Sequence, residues 1–304
     1  MSFSDNMNMN MNMNMNMNMN MNMNMGNPMA NTPAELGPKP WTLDYTPNAD
    51  MPIGTLPGKD RVYPDKAWDA ALVGIRAAFE YAKNIDWDAM KAALDAAPLP
   101  ADSPGAPAPF VVGWQNDEPF IQRELNYLLG LMQDDRDRYM GEILAQADGA
   151  PFYWFGLLDI QKGQKPKTVA LIQCALRIGE MVGLHFKEKY HRIRPSVLCA
   201  GLLPPFGPPL HPAFPSGHAT QGHLISSLLL EIADGANMPL APYASELKWL
   251  AARVAKNRER AGLHYPSDSL AGAFLADFVT ADLKAGLSPT IVTPLLKAAA
   301  EEWS

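Results

Sequence analysis

From residue 65 onward, apolar residues recur at steps of three and four, and prolines and glycines cut that pattern into segments of helical length. The first segment, 65–83, sets Trp68, Leu72, Ile75 and Phe79 on one stripe, which predicts the face that meets the core. Asp86 can cap a short helix through residue 97. Helical patterns follow over 118–147, with breaks expected at Gly130 and Gly141, and over 167–190. After a proline-rich loop at 196–215 come a helix opened by Ser216, helices over 244–261 and 267–284, and a last one beyond Ser288-Pro289. No βαβ alternation and no series of hairpins interrupts the run. The predicted class is all-α, a helical bundle.

The start of the chain is different in kind. Residues 7–25 alternate Met and Asn almost without interruption, and one repeated dipeptide specifies no strand register. Residues 1–39 therefore read as a disordered low-complexity tail, followed by an extended arm rich in Pro and Asn that runs to about residue 64. Residues 40–304 read as one domain, with the chemistry-bearing segments inside 167–284. The opening residues lack the basic start and apolar centre of a secretory signal, and apolar runs such as HLISSLLLEIA look too short or too charged to span a bilayer. These features predict a soluble, cytoplasmic protein with no membrane partner. The net charge of −7 argues against nucleic acid as a partner. Cys174 and Cys199 stand in no metal or redox spacing and read as two reduced thiols.

Three short segments gather the residues that carry chemistry. In KEKYHRIRP (187–195), Arg194 follows Lys187 by seven positions, two helical turns, so both are expected on one face near a helix end. In HPAFPSGHATQG (211–222), proline excludes helix before itself and Ser216 caps the helix that follows. That helix start leaves the Gly217 N–H free to face an anion, with His218 beside it as a proton donor. In NRERAGLHYPSD (257–268), the helix ends near Gly262, His264 falls in a turn, and Asp268 is placed to accept Nδ1–H from His264, leaving Nε2 free.

Each segment alone has a structural explanation: a basic helix end, an N-cap, a lone His–Asp bond. Together they suit one task. Lys187, Arg194 and Arg258 supply three positive charges for a tetrahedral oxyanion such as phosphate or vanadate, and Ser216 with the Gly217 N–H completes the cradle. His264 would attack or coordinate in line, with His218 as acid or base at the opposite apex.

The pattern K-x6-RP, PSGH, R-x5-H-x3-D resembles the signature of the superfamily that joins type-2 phosphatidic acid phosphatases (PAP2), bacterial acid phosphatases and vanadium-dependent haloperoxidases. The resemblance implies a helical-bundle fold of that type. Lys187, Arg194, Ser216, Gly217, His218 and Arg258 would hold the oxyanion, and Asp268 would orient His264. His264 would be the phosphohistidine nucleophile of a phosphatase or the vanadium ligand of a peroxidase. Asn257 departs from the family, which usually has Ser before the arginine. The segment around His211 and Phe214 is similar to the HPxYPSGHA stretch of bromoperoxidases and implies a halide pocket, unless His211 is simply a loop residue. The preferred reading is a haloperoxidase that oxidises bromide or iodide with hydrogen peroxide at a His264-bound vanadate, with Lys187 polarising the peroxide. The alternative is a soluble phosphatase hydrolysing a phosphomonoester, with no cofactor. The resemblance also allows a homodimer.

Overall fold

A computed structural model describes residues 68–104, 109, 115, 117–233 and 240–303. The Met/Asn tail and the arm through residue 64 lie outside the described residues, and the expected domain start at residue 40 lies there too. The described helices are α1 (Ala70–Asn84), α2 (Trp87–Ala96), α3 (Glu118–Asp134), α4 (Arg136–Gly149), α5 (Pro151–Leu157), α6 (Pro166–Tyr190), α7 (Pro195–Leu198), α8 (Gly217–Ala233), α9 (Ala244–Arg260), α10 (Pro266–Lys284) and α11 (Val292–Glu301). Beyond short 3-10 turns, the described part is all-α, and among the described residues the sole β feature is an isolated bridge between Pro98 and Pro109.

The boundaries follow local chemistry. Asp69, Asp86 and Asp117 cap α1, α2 and α3 through their carboxylates, which accept from Ala71, Ala89 and Phe120 N–H. Proline occupies the first turn of α3, α5, α6, α7 and α10, where its missing N–H costs nothing. The 118–147 pattern does break, but at Asp135 rather than at Gly130 or Gly141. Both glycines stay helical, with open space where a Cβ would go, so neither forces a kink.

Helix α8 is the hub, packing on α6, α9, α10 and α11. Glycines set its closest approaches. A Cβ on Gly272 of α10 would lie 2.8 Å from Ala219 Cβ and Ser216 O, so only glycine lets α10 meet the start of α8. At the same junction Ser216 N–H donates to Asp268 O at 2.9 Å. This contact fixes the PSGH segment against the HYPSD segment.

Two expectations need correction here. On α1 the outward side chains are Leu72, Ile75 and Phe79, the last 66% exposed, while Ala71, Gly74, Ala77, Ala78 and Tyr81 are buried. The helix docks on α6 by its small face, since a Cβ on Gly74 would come 2.5 Å from Gln173 O. Close backbone approach outweighs the transfer of a few large side chains.

The second concerns membranes. The helical stretch Pro166–Leu198 is long and apolar enough to cross a bilayer by length and composition, with a mean hydropathy of 1.3 in its best 18-residue window. The expectation that no segment approaches a span is therefore wrong, and the assignment to the cytoplasm that rested on it falls with it. Within the fold, 72% of that window is buried.

Candidate functional site

The first wall of the site is built where α9 hands over to α10. Helix α9 closes through Ala261, and Gly262 follows at a φ of +72°, a left-handed turn that suits glycine. That turn carries His264 inward, leaving it 4% exposed. Asp268, in the first turn of α10, accepts from Tyr265 N–H at 3.0 Å and faces His264 Nδ1 at 3.2 Å through the same oxygen. Across the ring, Arg194 Nη1 lies 3.1 Å from His264 Nε2. A guanidinium only donates and a carboxylate only accepts, so the imidazole carries its proton on Nδ1 and directs the Nε2 lone pair at Arg194. Burial, then Arg194, holds His264 well below its ordinary range, so it is neutral. Burial pushes Asp268 up, but Arg192 and the His264 bond outweigh it and keep the carboxyl at about 2.

Arg194 is not on the helical face expected for it. Helix α6 ends at Tyr190, and His191, at a φ of +49°, turns the chain, so that Arg194 sits in extended backbone as the cap of α7. It still arrives beside the site. Its Nε donates to His211 O at 3.0 Å, its Nη1 to Leu263 O at 2.8 Å, and its Nη2 approaches His211 Nδ1 at 3.0 Å. Burial lowers Arg194 to about 10, still cationic near neutrality.

Lys187, in the last turn of α6, is 3% exposed. Its ammonium donates to the carbonyls of Pro212, Ala213 and Pro215 at 2.8, 3.0 and 2.5 Å. Burial and then Arg194 pull it to about 7, while three carbonyl acceptors favour the charged form. It thereby clamps the loop that leads into PSGH, and its charge lowers His211, His218 and His264.

The second wall comes from α4, α8 and α9. Ser216 Oγ accepts from Ala219 N–H at 3.4 Å and Ser216 O from Thr220 N–H at 3.0 Å, the cap expected for α8. A Cβ placed on Gly217 would meet nothing within 4 Å, so open space lies over the first turn. His218 Nε2 stands 3.1 Å from Gln146 O, which makes Nε2 the protonated nitrogen. Burial, then Arg258, depresses His218 to about 3. Arg258, 1% exposed, donates from Nη2 to Ile143 O at 2.7 Å, but its buried Nε finds no partner, and neither does Gln146 Nε2. Burial lowers Arg258 to about 10. Among the described residues, Arg136 Nη2 and Arg177 Nε are also buried donors without a partner, so the orphaned Arg258 Nε and Gln146 Nε2 make this a candidate anion site only together with the cations and histidines around them.

Arg194 and His264 are thus in direct contact, and Lys187, His211 and His218 share their field. Arg258 joins through His218 and through Leu263 N–H, which donates to Arg258 O at 3.1 Å, not through a side-chain bond to His264. His211 lies exposed at the rim, and partial burial with the charges of Lys187 and Arg194 lowers it to about 4. Phe214 is fully buried in the main core, its ring edge-on to Tyr190 at 5.2 Å. Asn257 does not face the cradle. It bonds Glu142 and Gln146 and accepts from Arg260, pinning α9 to α4.

Sequence reasoning missed Arg192 and Glu124. Arg192 bridges Asp268 and Glu124, each at 2.6 Å, with all three side chains nearly inaccessible. The partners lie 68 and 76 positions away from it, so no local spacing reveals them.

No protein-family model and no curated protein matches the sequence. Among solved structures, the chain is similar to a transmembrane PAP2-type phosphatidylglycerolphosphate phosphatase from Bacillus subtilis. Sequence identity is 16%, the TM-score is 0.31, and the match covers 73% of this chain and 98% of that one. A likeness this distant leaves the functional reading to the geometry of the site.

Proposed function

We propose that this chain is a phosphohydrolase that cleaves a phosphomonoester through attack by His264. The supporting observation is the buried imidazole itself, with Nδ1–H on Asp268 and the Nε2 lone pair facing the Arg194 guanidinium, one of the cations that would meet a phosphate. In the first step the Nε2–P bond forms and the P–O bond to the leaving group breaks. Arg194, Arg258, the Lys187 charge and the Gly217 N–H would stabilise the charge on the three equatorial oxygens. His218 would give its proton to the departing oxygen. Neutral His218 keeps its Nε2 proton on Gln146 O, so this proton is a second one, disfavoured by burial and then by Arg258, and a dianion beside it would offset the Arg258 part. In the second step His218 takes a proton from water, which attacks phosphorus and releases His264.

Incubation with an aryl phosphate tests this. Hydrolysis with an acid-labile phosphoenzyme that disappears in His264→Ala is expected. Vanadate binding without any phosphate release overturns it.

One observation keeps the peroxidase reading alive: His211 packs on Arg194 at the rim. The orphaned Arg258 Nε, the space over Gly217 and the Nε2 lone pair fit vanadate as well as phosphate. Arg194, Ser216, Gly217, His218 and Arg258 would hold its oxygens, Lys187 would contribute its charge, and Nε2 would ligate the metal. Vanadate would supply Lewis acidity that activates hydrogen peroxide toward a halide. The phosphatase reading is better supported because Lys187 serves it from where it stands. A peroxidase needs that ammonium on peroxide, yet its three N–H groups point at three backbone carbonyls. Bromide and iodide oxidation with added orthovanadate, run beside phosphate release on one preparation, separates the two.

A further inference from the structure

Arg192 has no place among the oxyanion donors, yet it is 3% exposed and bound on every side. Nη1 donates to Asp268 Oδ1 at 2.6 Å and to Ser267 Oγ at 2.7 Å, and Nη2 donates to Glu124 Oε2 at 2.6 Å. The guanidinium lies over the Tyr265 ring, 3.7 Å from its centroid. Glu124, reaching in from α3, uses its other oxygen to accept Ser267 N–H at 2.8 Å. These bonds converge on the turn and first residues of α10 that present His264 and Asp268. Stability alone does not explain them, because a buried ion pair is often no better than apolar side chains of the same volume.

What the network does is hold one carboxylate still. Asp268 Oδ1 is taken by Arg192, and Oδ2 by Tyr265 N–H, so the carboxylate cannot rotate about its own axis. The Oδ2 lone pair then stays on His264 Nδ1. A freed carboxylate would leave the Nδ1 proton without a fixed acceptor, and Arg194 at Nε2 alone would then oppose its shift to Nε2, where it would block attack.

We propose that Arg192, braced by Glu124, is the positioning pair that sets the Asp268 carboxylate and through it the tautomer of His264. The inference rests on His264 as nucleophile, and its test is chosen to stand apart from that reading. The full chain with ¹⁵N-labelled histidine, in native form and as Arg192→Met, Arg192→Lys and Glu124→Gln, is compared by nitrogen shifts, with His264 assigned by difference from His264→Ala. The native protein should show Nδ1–H at His264. Arg192→Met should gain Nε2–H at that residue and lose about 10–100-fold in kcat, with KM within about twofold, because the oxyanion donors are untouched. Arg192→Lys, which reaches one carboxylate rather than two, should recover part of both signals. A folded Arg192→Met with unchanged His264 shifts and kcat overturns the proposal. Should that variant fail to fold, Glu124→Gln gives the same readings, with a smaller change expected and an unchanged tautomer counting against it. If the native chain hydrolyses no phosphoester, the functional reading falls while the nitrogen shifts still decide this one.

Discussion

The two walls of the site are built from the same residue types and finished differently. On the His264 side, Arg194 spends its donors on His211 O, Leu263 O, His264 Nε2 and His211 Nδ1. On the His218 side, Arg258 is even less exposed, yet it makes one hydrogen bond, to Ile143 O, and leaves Nε without a partner. Proteins seldom bury an unpaired donor, since each costs about 1–3 kcal/mol. On the proposed function, the closed wall would position the nucleophile and the open wall would take the anion.

The largest test of that division is His264→Ala. Loss of the nucleophile should cut phosphate release at least about a thousandfold while inorganic phosphate still binds, as titration calorimetry can show. Retention of a tenth of the activity would move the chemistry elsewhere. Next comes the pair Arg194→Met and Arg258→Met. Both should weaken phosphate or vanadate binding by about 100-fold, the loss of one charge-assisted contact or two. They should differ in heat stability, because Arg194→Met strands several native acceptors and Arg258→Met strands one. The melting temperature should fall by several degrees in the first variant and barely in the second. Equal drops would erase the distinction between the walls.

How much of this is legible in the sequence depends on the range of the interaction. Ser216 as a cap and Asp268 beside His264 are contacts within a few residues, and a helix start or a tight turn prints them in the local order. The all-α class is legible for the same reason, from periodicity. The docking face of α1 is not. Its large apolar residues advertise one side, while Gly74 and its alanines admit closer contact with α6 on the other. Nor is the break at Asp135, where a non-helical φ of −130° interrupts a pattern with better-looking glycines on either side. Arg194 shows the subtlest failure: the count of seven from Lys187 is right, but the helix stops halfway, and the site is reached by a turn at His191. Arg192 and Glu124 meet only because α3 and α10 are neighbours of the same loop, which the one-dimensional order does not express.

A smaller effect separates binding from folding on the open wall. Gly217 opens α8, and a methyl group there meets no atom of the protein. Gly217→Ala should therefore leave the melting temperature unchanged or slightly raised, since alanine is the better helix former. The methyl would occupy the space assigned to the anion and should weaken phosphate binding by about tenfold. Unchanged affinity would show that the anion lies away from the helix start.

The smallest expected effect concerns acid, and it asks whether the two histidines are as dry as the two walls require. His218 is held near 3 and His264 well below 6.5, both by burial first and a neighbouring arginine second. The unfolded chain takes up a proton at each near 6.5, and the native chain does not, so their stabilising share is complete above that pH and is lost as pH falls toward the folded values. At pH 5 each costs about 2 kcal/mol relative to neutrality, or about 4–8 °C in melting temperature at 2–4 °C per kcal/mol. Replacing either by asparagine should flatten the decline between pH 7 and 5 by one such share, measured by differential scanning calorimetry. His218→Asn is the more telling of the pair, because added phosphate shields its imidazole from Arg258 and should restore part of the native protein's acid stability but none of the variant's. An identical phosphate effect in both would place the anion beyond the reach of the open wall.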